Sequence, residues 1–435
     1  MPVPTRRLAV VALVVAVARL LLPDDLPFGL LGLDGALLAV AALDWLLAPS
    51  PGRVGVERTA PAVVALDTEG EVRWRVTNPT ARRLRVGVAD ELAPSLRARR
   101  RRFRVVLPAR ATATARTTIR PSRRGRFTPT ELVVRVDGPL GLAGRQRRRS
   151  VPALLRVVPP FRSRDEAELR IDRGRILEIG LRSARGRGSG TEFDALREYG
   201  PDDDFRRIDW AATARRGHAI VRTYRAERNQ TVVVLLDNGR SMAGRVAGVP
   251  RVEHAMDAAM CVTLVATRLG DRCGMVAFDR HVRATVPPGA SRHQVARVTD
   301  AIYDLEPELA ESDYRNAFAT TAARFRRRSM FVILTDLVEQ SVGESLLPAL
   351  PLLARRHVVV VGAVRDPDVE RWAADPAADG AETYRKVAAV QSLAARDRAV
   401  AELRRRGAIV VDAAPGRLAP QLADAYLSAK ATGRL

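Results

Sequence analysis

The sequence predicts a multidomain chain: an N-terminal transmembrane helical hairpin, a small antiparallel β-sandwich, and then an α/β doubly wound domain. Three observations predict it. Two apolar runs separated by a short acidic break open the chain. Residues 53 to about 160 then alternate apolar and polar side chains with period two, the pattern of half-buried strands. From residue 231, wholly apolar strand-like runs alternate with helical patterns, as in a parallel sheet covered on both faces. The expected divisions are 1–50, 51–160, 161–230 and 231–435.

The first apolar run, Leu8 to Leu22, has 15 residues, and the second, Phe28 to Ala48, has 21. The second can cross a hydrocarbon core of about 30 Å, and the first is short enough to need local thinning or tilt. A secretory signal with Arg6 and Arg7 as its basic region is the alternative. Against it, no small-x-small cleavage pattern precedes Pro23, and a second apolar run follows at once. Arg6 and Arg7 before the pair, and Arg53 and Arg58 after it, mark the cytoplasmic side; Asp24 and Asp25 lie in the loop. The expectation is therefore a multi-pass protein of the cell membrane with two spans and both termini cytoplasmic. Arg19, Asp34 and Asp44 are charges inside the apolar runs. In an antiparallel hairpin Arg19 and Asp34 fall at similar depth, and either pair or snorkel separately.

The middle region carries strand patterns at Val54–Arg58, Val72–Val76, Leu84–Val88, Phe103–Leu107 and Leu132–Asp137, with turn signals at Asn78-Pro79, Pro121-Ser122 and Asp137-Gly138-Pro139. Between Arg97 and Arg126 stand twelve Arg and no acid. Polyanion or nucleic-acid binding is one use of such a charge run. The Arg residues alternate with apolar ones, which favours the other, a solvated strand face beside anionic lipid.

Composition excludes several activities. Hydrophobic residues make up 47% of 435 and aromatics only 5%, so a core is available but is built from Ala, Val and Leu. The net charge of +23 is almost all arginine, because Lys386 and Lys430 are the only lysines. Neither lies in a G-x-x-x-x-G-K-[ST] loop, which argues against a P-loop ATPase. Cys261 and Cys273 are too few for a disulfide framework or a structural zinc site. Cys261 sits in an apolar helical run and reads as a buried thiol. Five scattered His without H-E-x-x-H disfavour a zinc hydrolase.

In the last region Thr231–Leu236 is an apolar strand ending at Asp237, and a helix follows over about 252–269. Strands are expected at 273–279, from 282, at 330–336, from 357 and at 408–412. Helices are expected near 291–304, 313–326, 381–406 and 417–430. Ligands of such sheets bind at the carboxyl ends of the strands, where Asp237 and Asp336 stand.

Asp237-Asn238-Gly239-Arg240-Ser241 after an apolar strand resembles the D-x-S-x-S metal loop of von Willebrand factor type A domains. Upstream, the stretch Leu196-Arg-Glu-Tyr-Gly-Pro-Asp-Asp-Asp-Phe-Arg-Arg-Ile-Asp-Trp-Ala-Ala-Thr-Ala-Arg215 resembles the signature of the domain of unknown function 58 family, which joins such a segment to a type A fold. The resemblance covers about 190–435, and the hairpin and β-rich region match that family's usual layout. It implies a Mg²⁺ site in which Asp237 and Ser241 supply the first loop, Ser312 the second-loop hydroxyl and Asp336 the third-loop acid. The open coordination position would accept an acidic side chain of a partner. Gly239 replaces the middle Ser, so one hydroxyl ligand is missing. The alternative use of Asp237 and Ser241 is to cap the following helix.

Within the signature, Arg197, Glu198, Tyr199, Asp203, Asp204, Arg207, Asp209, Trp210 and Arg215 are the candidate docking residues. Their interleaved charges suggest ion pairs that hold the segment on its domain, with Trp210 expected to anchor it by burial; a carboxylate metal cluster is the other possibility. Arg185-Gly-Arg-Gly-Ser-Gly190 reads as a linker.

Three functions compete. The resemblance implies a noncatalytic adaptor that works with a MoxR-type AAA+ ATPase in maturing or assembling protein complexes. A serine hydrolase would use Ser241, Asp336 and His357, since Gly239-Arg-Ser-Met-Ala243 superficially resembles a nucleophile elbow. Against that, Asp237 already ends the strand four residues before Ser241, and His357 opens a strand instead of following one. Polyanion or nucleic-acid binding through the Arg-rich β region is the third. The adaptor is the expectation taken forward.

Overall fold

A computed structural model of the chain describes residues 2–21, 27–184, 192–200, 203, 205–225 and 230–435, without the side chains of 2, 18–21, 27–31, 177–184, 192–195, 207 and 223–225. The chain divides into two units, Met1–Val158 and Pro159–Leu435.

In the first unit a short strand, β1 (Pro2–Pro4), precedes helices α1 (Arg6–Leu21) and α2 (Pro27–Leu47). Among the described residues one stretch, Gly32–Arg53, is long and apolar enough to cross a membrane. The pairing suggested for Arg19 and Asp34 lies outside the described residues. Ten further strands follow: β2 (Gly55–Thr59), β3 (Val63–Ala65), β4 (Gly70–Thr77), β5 (Leu84–Asp90), β6 (Arg102–Leu107), β7 (Thr112–Ile119), β8 (Gly125–Phe127), β9 (Glu131–Asp137), β10 (Ala143–Ser150) and β11 (Leu155–Val158). They form a five-stranded sheet in the order β1-β10-β9-β5-β6 and two three-stranded sheets, β2-β4-β7 and β3-β11-β8. The inward residues of β5 and β9 (Val86, Val88, Val134, Val136) share a core with Val56 and Val76 of the β2-β4-β7 sheet. Arg102 and Arg104 of β6 are exposed, as the alternation requires.

Two acids in this unit serve ends that the sequence does not announce. Asp44, in the last turn of α2, is fully buried. Its carboxylate accepts the backbone N–H groups of Leu140, Leu142 and Ala143 at 2.7–2.9 Å. Gly138 in that turn has no room for a Cβ, which would lie 2.4 Å from the Asp44 backbone oxygen. The Arg145 guanidinium stacks over Trp45 at 5.4 Å and donates to the carbonyls of Trp45 and Leu46, closing the helix end. The same turn receives the start of α1, because Thr5 donates its hydroxyl to Gly141 O at 2.6 Å and its N–H to Leu142 O. Arg58, expected only as a flanking charge, is buried with Asp90: Nη1 to Oδ1 is 2.5 Å, and Trp74 Nε1 donates to Oδ2 at 2.6 Å.

The second unit opens with α3 (Arg164–Ala184), the hairpin of β12 (Glu192–Glu198) and β13 (Ile220–Arg225) that encloses α4 (Trp210–Arg216), and then β14 (Thr231–Asp237). There follow the two-residue strands β15 (Arg245–Val246) and β16 (Val249–Pro250), α5 (Arg251–Arg268), β17 (Arg272–Phe278), β18 (Val282–Gly289), α6 (Gln294–Ile302), α7 (Tyr314–Arg324) and β19 (Met330–Leu334). Short turns α8 (Glu339–Ser341), α9 (Leu347–Ala349) and α10 (Pro351–Ala354) lead to β20 (Val358–Val364), α11 (Pro367–Ala374), α12 (Gly380–Arg405), β21 (Ile409–Ala413) and α13 (Leu418–Ala431). Six strands make one sheet in the order β18-β17-β14-β19-β20-β21, parallel except for β18. Alternate residues of β14 enter different cores. Val232, Val234 and Leu236 pack with α5 and α13; Val233 and Leu235 pack with α7 and α12. Both faces are therefore covered, which is why these strands read as unbroken apolar runs. Strand order reverses between β14 and β19, so a crevice is expected at their carboxyl ends.

Candidate functional site

Asp237 ends β14 at that reversal and is completely buried. Its Oδ1 accepts the Ser312 hydroxyl at 2.5 Å and the Gly239 N–H at 2.8 Å. Its Oδ2 accepts the Tyr314 hydroxyl at 2.7 Å and the Thr335 hydroxyl at 2.6 Å. Four donors use the acceptor capacity of a carboxylate. Burial, with the Asp237 charge beside it, pushes the Tyr314 hydroxyl far above its ordinary pKa and keeps it a donor. The gap left by Gly239 is filled by Ser312, since a Cβ at 239 would lie 2.0 Å from Ser312 Oγ.

Asp336, two residues beyond β19, is committed differently. Oδ2 meets Arg251 Nη1 at 3.0 Å; Oδ1 accepts from Arg396 Nη1 at 2.8 Å and from the Leu337 N–H at 2.9 Å. Arg396 also bridges to Asp412 at the end of β21. Burial works to lower the Arg396 pKa, but its bonds to Asp412 and the charge of Asp336 raise it above the ordinary value. Ser241 lies in a 3₁₀ turn after β14, and its carbonyl accepts weakly from Arg251 at 3.4 Å. The fold thus brings Asp237, Ser241, Ser312 and Asp336 to one end of the sheet. As arranged they do not fit a hard divalent cation, because one acid is saturated by hydroxyls and an amide and the other by two guanidiniums. Among the described residues no group of three or more His, Cys, Asp or Glu is placed to hold a metal. Asp237 does not cap a helix by side chain either: it closes the turn onto Gly239.

His357 precedes β20 and packs edge-on against Phe331 at 4.7 Å. Ser241 follows the carboxyl end of β14, so the two lie at opposite ends of the sheet, roughly 15–20 Å apart along the strands. Cys261 and Cys273 are buried, and burial pushes both thiols up to about 12.

The 196–222 segment is held by its own charges. Arg197 binds Asp203, whose other oxygen accepts the Gly200 N–H at 2.8 Å. Asp209 caps α4 by accepting the Ala212 N–H at 3.1 Å, and it also accepts from Arg222 Nε at 2.8 Å. The Arg222 hydrogen bond first, and the Ala212 N–H second, hold the Asp209 carboxyl below the usual carboxylate range. Glu198 meets His218 at 3.3 Å, Tyr199 is partly exposed, and Arg215 lies exposed in the last turn of α4. Asp204 and the Arg207 side chain lie outside the described residues, as does the 185–190 linker.

Trp210 corrects the sequence expectation. It is 62% exposed, not buried, and stands edge-to-face with Phe205, itself 65% exposed, at 5.8 Å. It occupies the first position of a seven-residue helix whose one buried residue is Ala212. Asp209, not Trp210, fixes the segment. Sequence reasoning missed Phe205, which lies inside the quoted signature, and also Tyr314, two residues after Ser312, and Thr335, next to Asp336. For Arg251 and Arg396 the sequence carries no local signal.

Comparison with known proteins gives a family match over part of the chain and no activity. The family model described as "Protein of unknown function DUF58" matches residues 195–406. Proteins named only as uncharacterized, from Mycobacterium bovis and Mycobacterium tuberculosis, are 32% identical over 187 residues, 42% of this chain. The match spans 58% of those relatives' own length. Among solved structures, the CARDB domain of a Pyrococcus furiosus protein in complex with di-metal ions aligns at 14% identity and TM-score 0.17, over 26% of this chain and 91% of that one. An uncharacterized membrane spanning protein from Vibrio fischeri aligns at 16% and TM-score 0.17, over 47% and 98%. These two likenesses are too slight to bear on fold or function.

Proposed function

We propose that this chain is a member of the family matched over 195–406 and acts as a membrane-anchored, noncatalytic docking protein. On this reading α1 and α2 form a hairpin in the cell membrane with both ends cytoplasmic, the first unit's strands make a β-sandwich, and the six-stranded sheet belongs to a type A-like domain. The partner is a MoxR-type AAA+ ATPase. One observation carries the docking role: Phe205 and Trp210 are two large aromatic rings left in solvent by a segment whose Asp203 and Asp209 are engaged internally. Exposed Trp on a pre-organised segment is the residue type on which partner binding concentrates. The hairpin is supported by the start of α1 and the end of α2 meeting the same turn, 138–143. Docking on this account does not use a metal, because the Asp237 and Asp336 carboxylates are already engaged. The test is affinity purification of the tagged full chain from mild-detergent extracts of its native membranes. Wild type and Ser241→Ala should recover the same AAA+ ATPase in equal amount. Loss with Ser241→Ala would restore a working metal loop, and no ATPase from either would remove the partnership.

A further inference from the structure

The second unit holds a cavity of about 330 Å³ between α7 and the turns that lead into β20. Arg315 and Arg326 line it from α7 and the loop after it, Arg355 and Arg356 from the end of α10, together with Leu352 and His357. No acid lines it. Some other arginines of the unit are paired with acids. Arg365 meets Asp412 and Glu370, Arg398 meets Glu339, and Arg396 bridges two acids. Among the described residues the four cavity arginines make no ion pair with any acid. His357 is buried, and its Nδ1 has no hydrogen-bond partner, although buried polar atoms normally have one.

The four arginines that line this concave space are solvent-exposed and make a local excess of positive charge, and their forked donors match phosphate oxygens. The volume suits a small molecule. Leu352, partly exposed, offers an apolar wall beside the charges. We propose that this cavity binds a phosphate-bearing anion, with its phosphate among Arg315, Arg326, Arg355 and Arg356 and its apolar part on Leu352. The ligand's source is either a soluble phosphate compound or the headgroup of an anionic lipid.

The test is calorimetric titration of the full chain, in nanodiscs of zwitterionic lipid at about 0.15 M salt to screen general charge attraction. The probes are pyrophosphate and dihexanoyl phosphatidic acid. At least one should bind saturably, and Arg326→Glu with Arg355→Glu should weaken it at least tenfold. Arg102→Glu with Arg104→Glu, the same charge change on β6, should leave it within twofold. If the first variant does not fold, Arg326→Gln with Arg355→Gln should weaken binding at least threefold. Phosphatidic acid binding tenfold tighter than pyrophosphate assigns a lipid headgroup; equal or weaker binding assigns a soluble compound. Binding of neither probe, equal loss in both charge variants, or binding unchanged in a folded cavity variant overturns the proposal.

Discussion

The Ser312 hydroxyl reaches Asp237 Oδ1 at 2.5 Å and occupies the space a side chain at position 239 would need. Glycine at 239 and serine at 312 are therefore one choice made at two positions. Gly239→Ser should force this contact apart and destabilise the fold by about 1–3 kcal/mol, as overpacking does. Adding Ser312→Ala should recover at least half of the loss in urea unfolding. Full stability of the single variant would contradict the packing described.

The buried pair Arg58 and Asp90 yields a second expectation. Removing one partner leaves an uncompensated buried charge, which costs about 3–5 kcal/mol, whereas replacing both with apolar residues is often near neutral. Asp90→Leu alone should unfold the first unit at markedly lower urea. Arg58→Met with Asp90→Leu should regain most of that stability. Equal loss in the single and double variants would show that the pair is not a closed unit.

Asp44 should tie α2 to the 138–143 turn by three amides at once. Asp44→Ala should lower hydrogen-exchange protection of Leu140, Leu142 and Ala143 at least tenfold, since bonds to a charged acceptor contribute about 1.5–3 kcal/mol each. Protection of Val234 in the second unit should not change. Unaltered protection of the three turn amides would refute the tie.

Burial lowers the pKa of His254, against a hydrogen bond to Val246 that raises it, and lowers that of His357, where Arg356 acts in the same direction. Below about pH 6.5 the unfolded chain then binds more protons than the folded one, so stability rises with pH there. The stabilising contribution is present above about 6.5 and is lost as pH falls through the lowered folded values. The urea midpoint of the second unit should drop between about pH 7 and pH 5. The drop should be smaller with His254→Gln and His357→Gln together; an identical drop would assign it to other groups.

Much of the second unit was legible because its strands are buried on both faces. Such strands read as continuous apolar runs, and the residues ending them, Asp237 and Asp336, are the ones found at the switch in strand order. The partners of those acids were not legible. Arg396 lies in the middle of a 26-residue helix, and only the tertiary fold brings it to Asp336. Loop spacing likewise says nothing of which hydroxyl fills the space beside Asp237. Asp44 reads from sequence as a charge inside an apolar run, and only the fold brings it to the amides of 140–143. Trp210 departs from expectation for a simpler reason. Large aromatics are usually anchors, but here an N-cap and an arginine fix the segment, and the ring is left outside.

The central claim, docking through the exposed aromatic pair, is tested most directly by comparing Trp210→Ala with wild type in binding to the AAA+ ATPase recovered with the full chain. The account predicts an unchanged unfolding midpoint and at least tenfold weaker binding, the loss expected of a hot-spot residue. Wild-type affinity in the folded variant would contradict it.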